Sequence, residues 1–510
     1  MRDDTPVLIG AGQFTFRGDP LTSPSPMQLL MTATERAASD AGISSGALAA
    51  LDLIDVVGFA VDSPGGRNPL PRPKNPPRSL AKLLGADPRV ARYSHMGGNT
   101  PQYLINAACE RIARGESDLA LIVGAEFLGS LRKRAAAGSD FAGWDDGETE
   151  PPERVGDPRP GVTPQEAAHG LAFPVNTYPL FENAYRAHLG RSPDRHQSAL
   201  GELFAPFTKV AAVNPDAWFP IERSAEELIT VSDRNRMVGY PYPKYLNAIM
   251  EVDQSAGVLL ASVKRARELG VPEEKWVYLH GCADAADLWH VTERVNYFSS
   301  PAMRGTGERA LAMAGKRLDD MAAFDLYSCF PVAVEIGAAE LGLALDDPRG
   351  LTLTGGLPYF GGPGNNYVMH SVAAAANRCR ARAGDFVMVT GNGWYLTKES
   401  VGIYSTAPLE ARWERENTAV LQREIDQLPH PEVIERPSGR ATIETYTVVH
   451  DRGGYRLGIV MGRDEEGRRF VANTPADRAT LADLESREGV GRAGRVGPDP
   501  DGVRNLFTPE

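Results

Sequence analysis

Two stretches far apart in the chain share one pattern. GNTPQYLINAACERIARGESDLALIVG (98–124) and GNNYVMHSVAAAANRCRARAGDFVMVTG (364–391) both open on Gly-Asn and run through a helix rich in small residues. Both then pass an Arg-rich helix end, bend at Gly and Asp, and finish in an apolar strand closed by glycine. Upstream lie two matching β-rich runs, IDVVGF (54–59) and FDLYSCF (324–330), so the copies keep an offset of about 270 residues. Helix–strand alternation gives any α/β protein some self-likeness, but it does not align three punctuating positions within a one-residue slip. The pattern predicts two homologous α/β halves.

The 510 residues exceed what one simple core organises, and the rest of the chain is apportioned around the repeat. VLIGAG (7–12) reads as a buried strand ending in a tight glycine turn, and residues 27–42 read as a helix capped by Gly42. A proline-rich loop covers 65–78. From about 130 to 245, prolines, aromatics and mixed charge break the rhythm, which predicts a loop domain lying over a site. VDQSAGVLLASVKRARELG (252–270) closes a first half, 1–270, and KWVYLHG (275–281) opens a second, 271–411. From 412 a helical AVLQREIDQL leads into alternating segments with turn signals at DRGG and DEEG. These predict a small β-rich, OB-like domain over 412–510, in the form of a five-stranded barrel. Its Arg468-Arg469 pair is a solvated turn or a contact to an acidic group.

Composition narrows the partners. A net charge of −12 argues against nucleic acid or an anionic membrane. No apolar run reaches membrane-span length, and MRDDTPVLIGAGQ carries acids where a signal peptide needs positive charge. Cys109, Cys282, Cys329 and Cys379 are scattered without a CxxC pair, so neither a disulfide framework nor a zinc site is expected. Cys109 and Cys379 read as small core residues and Cys282 as lying in a loop after a strand. The expectation is a cytoplasmic protein without a metal.

Four loops carry a family resemblance. SHMGGNTPQYLINAACERIARGESDLALIVGAE resembles the thiolase segment with the nucleophilic cysteine. FDLYSCFPVAVEIGAAELGL resembles the Asn-Glu-Ala-Phe or His-Asp-Cys-Phe segment, GGLPYFGGPGNN the Gly-His-Pro loop, and VTGNGWYLTKES the second-cysteine loop. The four fall in order over residues 5–410. The chain is similar to the sterol-carrier-protein type of thiolase, and to thiolase-like proteins labelled acetyl-CoA acetyltransferases that carry an extra C-terminal domain. The resemblance implies an α/β fold of two βαβαβ-type halves in five layers, with a loop domain and a small C-terminal β-barrel. It also implies an acyl-CoA thioester as ligand or substrate, no further cofactor, a setting in lipid metabolism, and a homodimer formed through the thiolase core.

The reactive side chains of that family are absent. The nucleophile position matches Gly97, between Met96 and Gly98; the Gly-His-Pro histidine matches Gly362; the second cysteine matches Gly391; and the remaining Asn or His matches Tyr327. Thiolase chemistry needs a thiolate of lowered pKa, a histidine and a second thiol, with donors for the oxyanion. The polar groups left at the loops are Tyr327, Ser328, Asn366 and His370 as candidate catalytic residues. Gly97, Gly98, Asn99, Gly362, Asn365, Gly391 and Asn392 are candidate substrate-binding positions. Tyr327 reads either as a carbonyl donor and acid/base or as a buried aromatic with a satisfied hydroxyl. His370 reads either as a site residue or as helix packing, and Asn365 and Asn366 read as helix caps compatible with binding. Three functions follow: aldol or retro-aldol chemistry on an acyl-CoA without a covalent cysteine, binding of acyl-CoA without turnover, and, ranked last, ordinary acyl transfer. Thiolase-like aldolases of steroid side-chain breakdown, with Tyr at this motif and a small β-barrel partner, are similar in the first respect.

Overall fold

The computed structural model describes residues 2–63, 71–500 and 502–510. Residues 65–70 of the expected proline-rich loop lie outside the described residues, and its end begins a helix, Pro76–Leu84, with prolines in the first turn. The chain lays down β1 (Pro6–Thr15), β2 (Leu53–Val56), β3 (Val90–Ser94), β4 (Leu119–Phe127) and β5 (Glu153–Val155). It then passes a short hairpin, β6 (Met237–Gly239) and β7 (Tyr242–Pro243), before β8 (Asp253–Ser262). The first sheet has the order β1-β8-β4-β2-β3-β5.

The second sheet repeats the plan. It contains β9 (Tyr278–Ala286), β10 (Met321–Asp325), β11 (Phe386–Gly393) and β12 (Lys398–Ser405), in the order β10-β11-β12-β9. Taken from the other edge, β9-β12-β11-β10 matches β1-β8-β4-β2 strand for strand. The pairing sense agrees as well: two antiparallel contacts are followed by one parallel contact in each sheet. The duplication legible in the sequence is therefore a duplication of topology.

Helices Thr100–Ala113 and Tyr367–Ala381 lie side by side between the sheets, while Pro26–Ala41 covers the first sheet and Pro301–Ala314 the second. This is the five-layer arrangement. The central helices are buried on most faces, and their alanines let two sheets close on them from opposite sides. Pro26–Ala41 begins with a Ser25–Gln28 capping box and ends at Gly42 in the left-handed region. Gly10 and Gly12 do not turn the chain as expected. β1 runs straight through them, and a Cβ on Gly10 would come within 3.0 Å of Ala41 Cβ, so the glycines let the helix lie close on the strand. Cys282 lies inside β9 rather than in a loop.

The irregular 130–245 region contains two long helices, Pro174–His188 and Pro193–Val213. Each carries an internal proline, Pro179 or Pro206, and this masked the helical pattern. At the C-terminus β13 (Gly439–Asp451), β14 (Gly454–Asp464), β15 (Arg469–Asn473), β16 (Ala493–Pro498) and β17 (Asn505–Pro509) close into a five-stranded barrel through the β13–β14 pairing. β13 also pairs with β6 at Val449–Gly239, so the hairpin from the irregular region extends the barrel sheet. Among the described residues no helix is long and apolar enough to cross a membrane.

Candidate active site

The site forms where the Gly-Asn loop of each half reaches into the other. Asn365 Oδ1 accepts the backbone N–H of Gly97 at 2.9 Å, and its amide donates to Gly58 O at 2.7 Å. Asn366 donates to Ala256 O at 3.3 Å and lies on Gly124, in β4. In the reverse direction, Asn99 donates to Ser400 Oγ at 3.1 Å, and a Cβ on Gly391, in β11, would come within 3.0 Å of its Cα. Asn365 and Asn366 therefore do not cap the following helix: Asn366 holds the cap position without a side-chain capping bond, and both amides are turned across the interface.

At the centre, Gly97 and Gly98 are hemmed in by side chains of the second half. Gly97 has φ +154°, and a Cβ there would come within 2.6 Å of Lys398 Nζ. A Cβ on Gly98 would come within 2.5 Å of Asn392 O and 2.7 Å of Tyr327 Cζ. Contacts this tight exclude any larger residue without rearrangement. Gly393 closes the group, since its Cβ would lie 3.1 Å from Gly97 Cα. Gly362 stands apart. Its N–H donates to Ile249 O at 2.8 Å and its neighbours are Ile249, Leu357 and Ala248.

The other candidates sit behind this surface. Tyr327 packs edge-on to Tyr367 at 5.6 Å, and burial pushes its phenol well above the ordinary value, which keeps it protonated. Ser328 is fully buried beside Gly356. His370 is also fully buried; its Nδ1 is 2.8 Å from Gln13 Oε1 and its ring lies against Phe360, so it serves the junction with β1. Asn392 donates to the Tyr178 hydroxyl at 3.0 Å, which in turn donates to Trp394 O at 3.0 Å. Asn99 Oδ1, Asn366 Oδ1 and Asn392 Oδ1 are buried without a hydrogen-bond partner.

A cleft of about 550 Å³ opens beside Asn99 and is lined by His95, Arg159, Trp289, Lys398 and Arg423, among others. A smaller one of about 240 Å³ shares His95 and Arg159 and reaches Met96 and Trp394. Lys398 Nζ donates to Met96 O, and burial lowers its pKa to about 8. Burial, followed by the charges of Arg154 and Lys398, also holds His95 below its ordinary range. Glu399, next along β12, is fully buried with both carboxyl oxygens unpartnered, and desolvation keeps it well above the usual carboxylate range. Lys398, Glu399, His95 and Tyr178 escaped the sequence reading. One signal existed for the first two: adjacent charges in a strand otherwise buried throughout, where Lys and Glu are rare unless they have work there. Tyr178 gave none.

The cysteines offer no thiolate. All four are buried, and burial raises Cys109, Cys329 and Cys379 to about 12 and lifts Cys282 well above the ordinary thiol range.

Comparison with known proteins places the chain in a family. The family model of the thiolase-like protein type 1 additional C-terminal domain matches residues 420–501. No curated protein matches. Among solved structures, a monomeric SCP2-thiolase-like protein type 1 from Mycobacterium smegmatis is 40% identical over 99% of both chains, with a TM-score of 0.85. An Ltp2-ChsH2(DUF35) aldolase is 19% identical over 80% of this chain and 99% of its own, with a TM-score of 0.58. An acetyl-CoA acetyltransferase from Syntrophomonas wolfei is 15% identical over 79% and 99%, with a TM-score of 0.53. The last two share the fold; the first shares sequence along the whole length as well. The chain belongs to the SCP2-thiolase-like proteins of type 1, within the thiolase superfamily.

Proposed function

We propose that the protein takes up an acyl-CoA thioester and makes or breaks a carbon–carbon bond in it, by aldol or retro-aldol chemistry, without an acyl-cysteine intermediate. The observation that carries this reading is the exchange of an amine for a thiolate. Lys398 Nζ occupies the space into which a side chain at position 97 would grow, and none of the buried cysteines can replace the missing nucleophile. Aldol chemistry needs a proton acceptor, a donor for the carbonyl oxygen, and positioning. His95, held toward its neutral form, supplies the proton acceptor at the cleft, and Lys398 stands where it engages the carbonyl group. Acids and bases line the cleft together, and Arg423, with Arg159 beside Asp157, is the group we assign to the phosphates of a CoA moiety. The shared fold with an aldolase supports the choice of reaction by analogy. The setting is lipid metabolism. The Mycobacterium smegmatis relative is described as monomeric, and we propose that state here in place of a homodimer.

A second reading, binding without turnover, is favoured by the burial of Tyr327, Ser328, Asn366 and His370 away from the cleft. Calorimetric titration with CoA and acetyl-CoA, paired with mass detection of carbonyl products from a panel of β-hydroxyacyl-CoA compounds, separates the two. Binding with release of a ketone or aldehyde is the expected outcome. Binding without release across the panel leaves the binding protein, and no binding of CoA or its thioester sinks both.

A further inference from the structure

Lys398 is placed as few lysines are. It begins β12 at the wall of the larger cleft, half-buried, with its Nζ directed at Gly97 and Met96 O and 5.9 Å from the centre of the Trp289 ring. No acidic group pairs with it at ion-pair distance among the described residues. The groups facing it are His95 and Met96 from the loop after β3, Asp157 and Arg159 from the arm that follows β5, Trp289 after β9, and Glu399 beside it. The arm's acid and base oppose each other, so burial dominates. A lysine in such a place gives up its proton more readily than one in water.

We propose that Lys398 is a reactive amine that takes a ketone or aldehyde from the cleft as an imine. The uncharged Nζ forms a bond to the carbonyl carbon as the C=O π pair moves to oxygen. One N–H proton passes to that oxygen, giving a carbinolamine. The second N–H proton leaves with the hydroxyl as water, and the nitrogen lone pair forms C=N. Water reverses the sequence and frees the amine, so no oxidant or reductant is involved. The imine would hold the carbonyl partner of the carbon–carbon chemistry beside the thioester, and in that sense it rests on the function proposed above.

The test is reductive capture on the full chain with acetaldehyde and sodium cyanoborohydride, followed by peptide mapping. Lys209, whose side chain is 65% exposed, serves as the internal comparison. At pH 7 Lys398 is expected to be labelled at least about tenfold faster than Lys209. Its rate should level off above pH about 8, far below the value of about 10.4 at which an ordinary lysine amine becomes half neutral. Lys398→Met should lose the fast site while keeping its thermal melt; if that variant does not fold, the wild-type map decides alone. Labelling at Lys398 no faster than at Lys209, or a rate that keeps climbing to pH 10, overturns the proposal. CoA titration of the same preparation keeps the two ideas apart. Capture without CoA binding removes the acyl-CoA reading and leaves the amine, and CoA binding without capture does the reverse.

Discussion

An amide side chain carries a donor and an acceptor on one short stem, and the Gly-Asn loops use them to fasten one half of the molecule to the other. Asn365 grips the N–H of Gly97 and the carbonyl of Gly58, while Asn99 reaches Ser400, each across the interface between sheets. The sequence showed that these residues mattered as a pair but not which way they pointed, because a cap and a cross-link use the same atoms. His370 illustrates the same limit. One helical turn past the glycine loop suggests a site residue, yet that turn carries it along the first sheet to Gln13 in β1. Its burial lowers its pKa to about 3, against about 6.5 for an unfolded histidine. The unfolded chain therefore takes up the proton first, and stability present above pH 6.5 is lost progressively below it. Between pH 7 and pH 5 this histidine should cost about 2 kcal/mol. Urea denaturation at both pH values should show wild type losing that much more than His370→Leu; equal losses would mean that His370 takes up its proton as readily in the fold as outside it.

Among the elements, β15 shows how the barrel is attached. Arg468 stays at the surface with Asp464, as a solvated turn would, but Arg469 points inward and is fully buried. It pairs with Glu444 through two nitrogens, at 2.8 and 2.6 Å, and donates to the carbonyls of Thr292 and Arg294 in the second half. Arg469→Ala would leave the carbonyls of Thr292 and Arg294 unpaired, while Glu444 keeps its two bonds from Arg463, at a cost of about 1–3 kcal/mol for each buried carbonyl left unsatisfied. A urea midpoint unchanged by that substitution would show that the barrel does not depend on this anchor. The strand itself, its turns and the barrel closure were legible from alternation and from the DRGG and DEEG signals. Which arginine of the pair turned inward was not, because a single residue at a strand's start carries no periodicity of its own. The helices Pro174–His188 and Pro193–Val213 were hidden for another reason: their internal prolines are breakers by local rule, tolerated here by packing that spans distant parts of the chain.

At the scale of the whole molecule, the duplication was readable because it repeats and the five layers followed from the family resemblance, whereas the geometry of the site was not readable, because its atoms come from both copies. The edge of the first sheet bears on assembly. β3 would present a free row of backbone groups to another chain, but β5 pairs with it in parallel at Arg92, Tyr93 and Ser94 and leaves that edge covered. Light scattering of the purified chain should accordingly give one mass of 55.1 kDa at micromolar concentration; a dimer mass there would mean a different face is used. The crossed loops also have a history in time. Asn99 waits for Ser400, 301 residues further on, and a ribosome adding about 5–20 residues per second needs about 15–60 seconds to reach it. Through that interval the emerging chain holds a finished pattern of glycines with nothing to close against. The cleft is thus among the last things the nascent protein acquires, and a message cut short anywhere before β12 yields a product that cannot contain it.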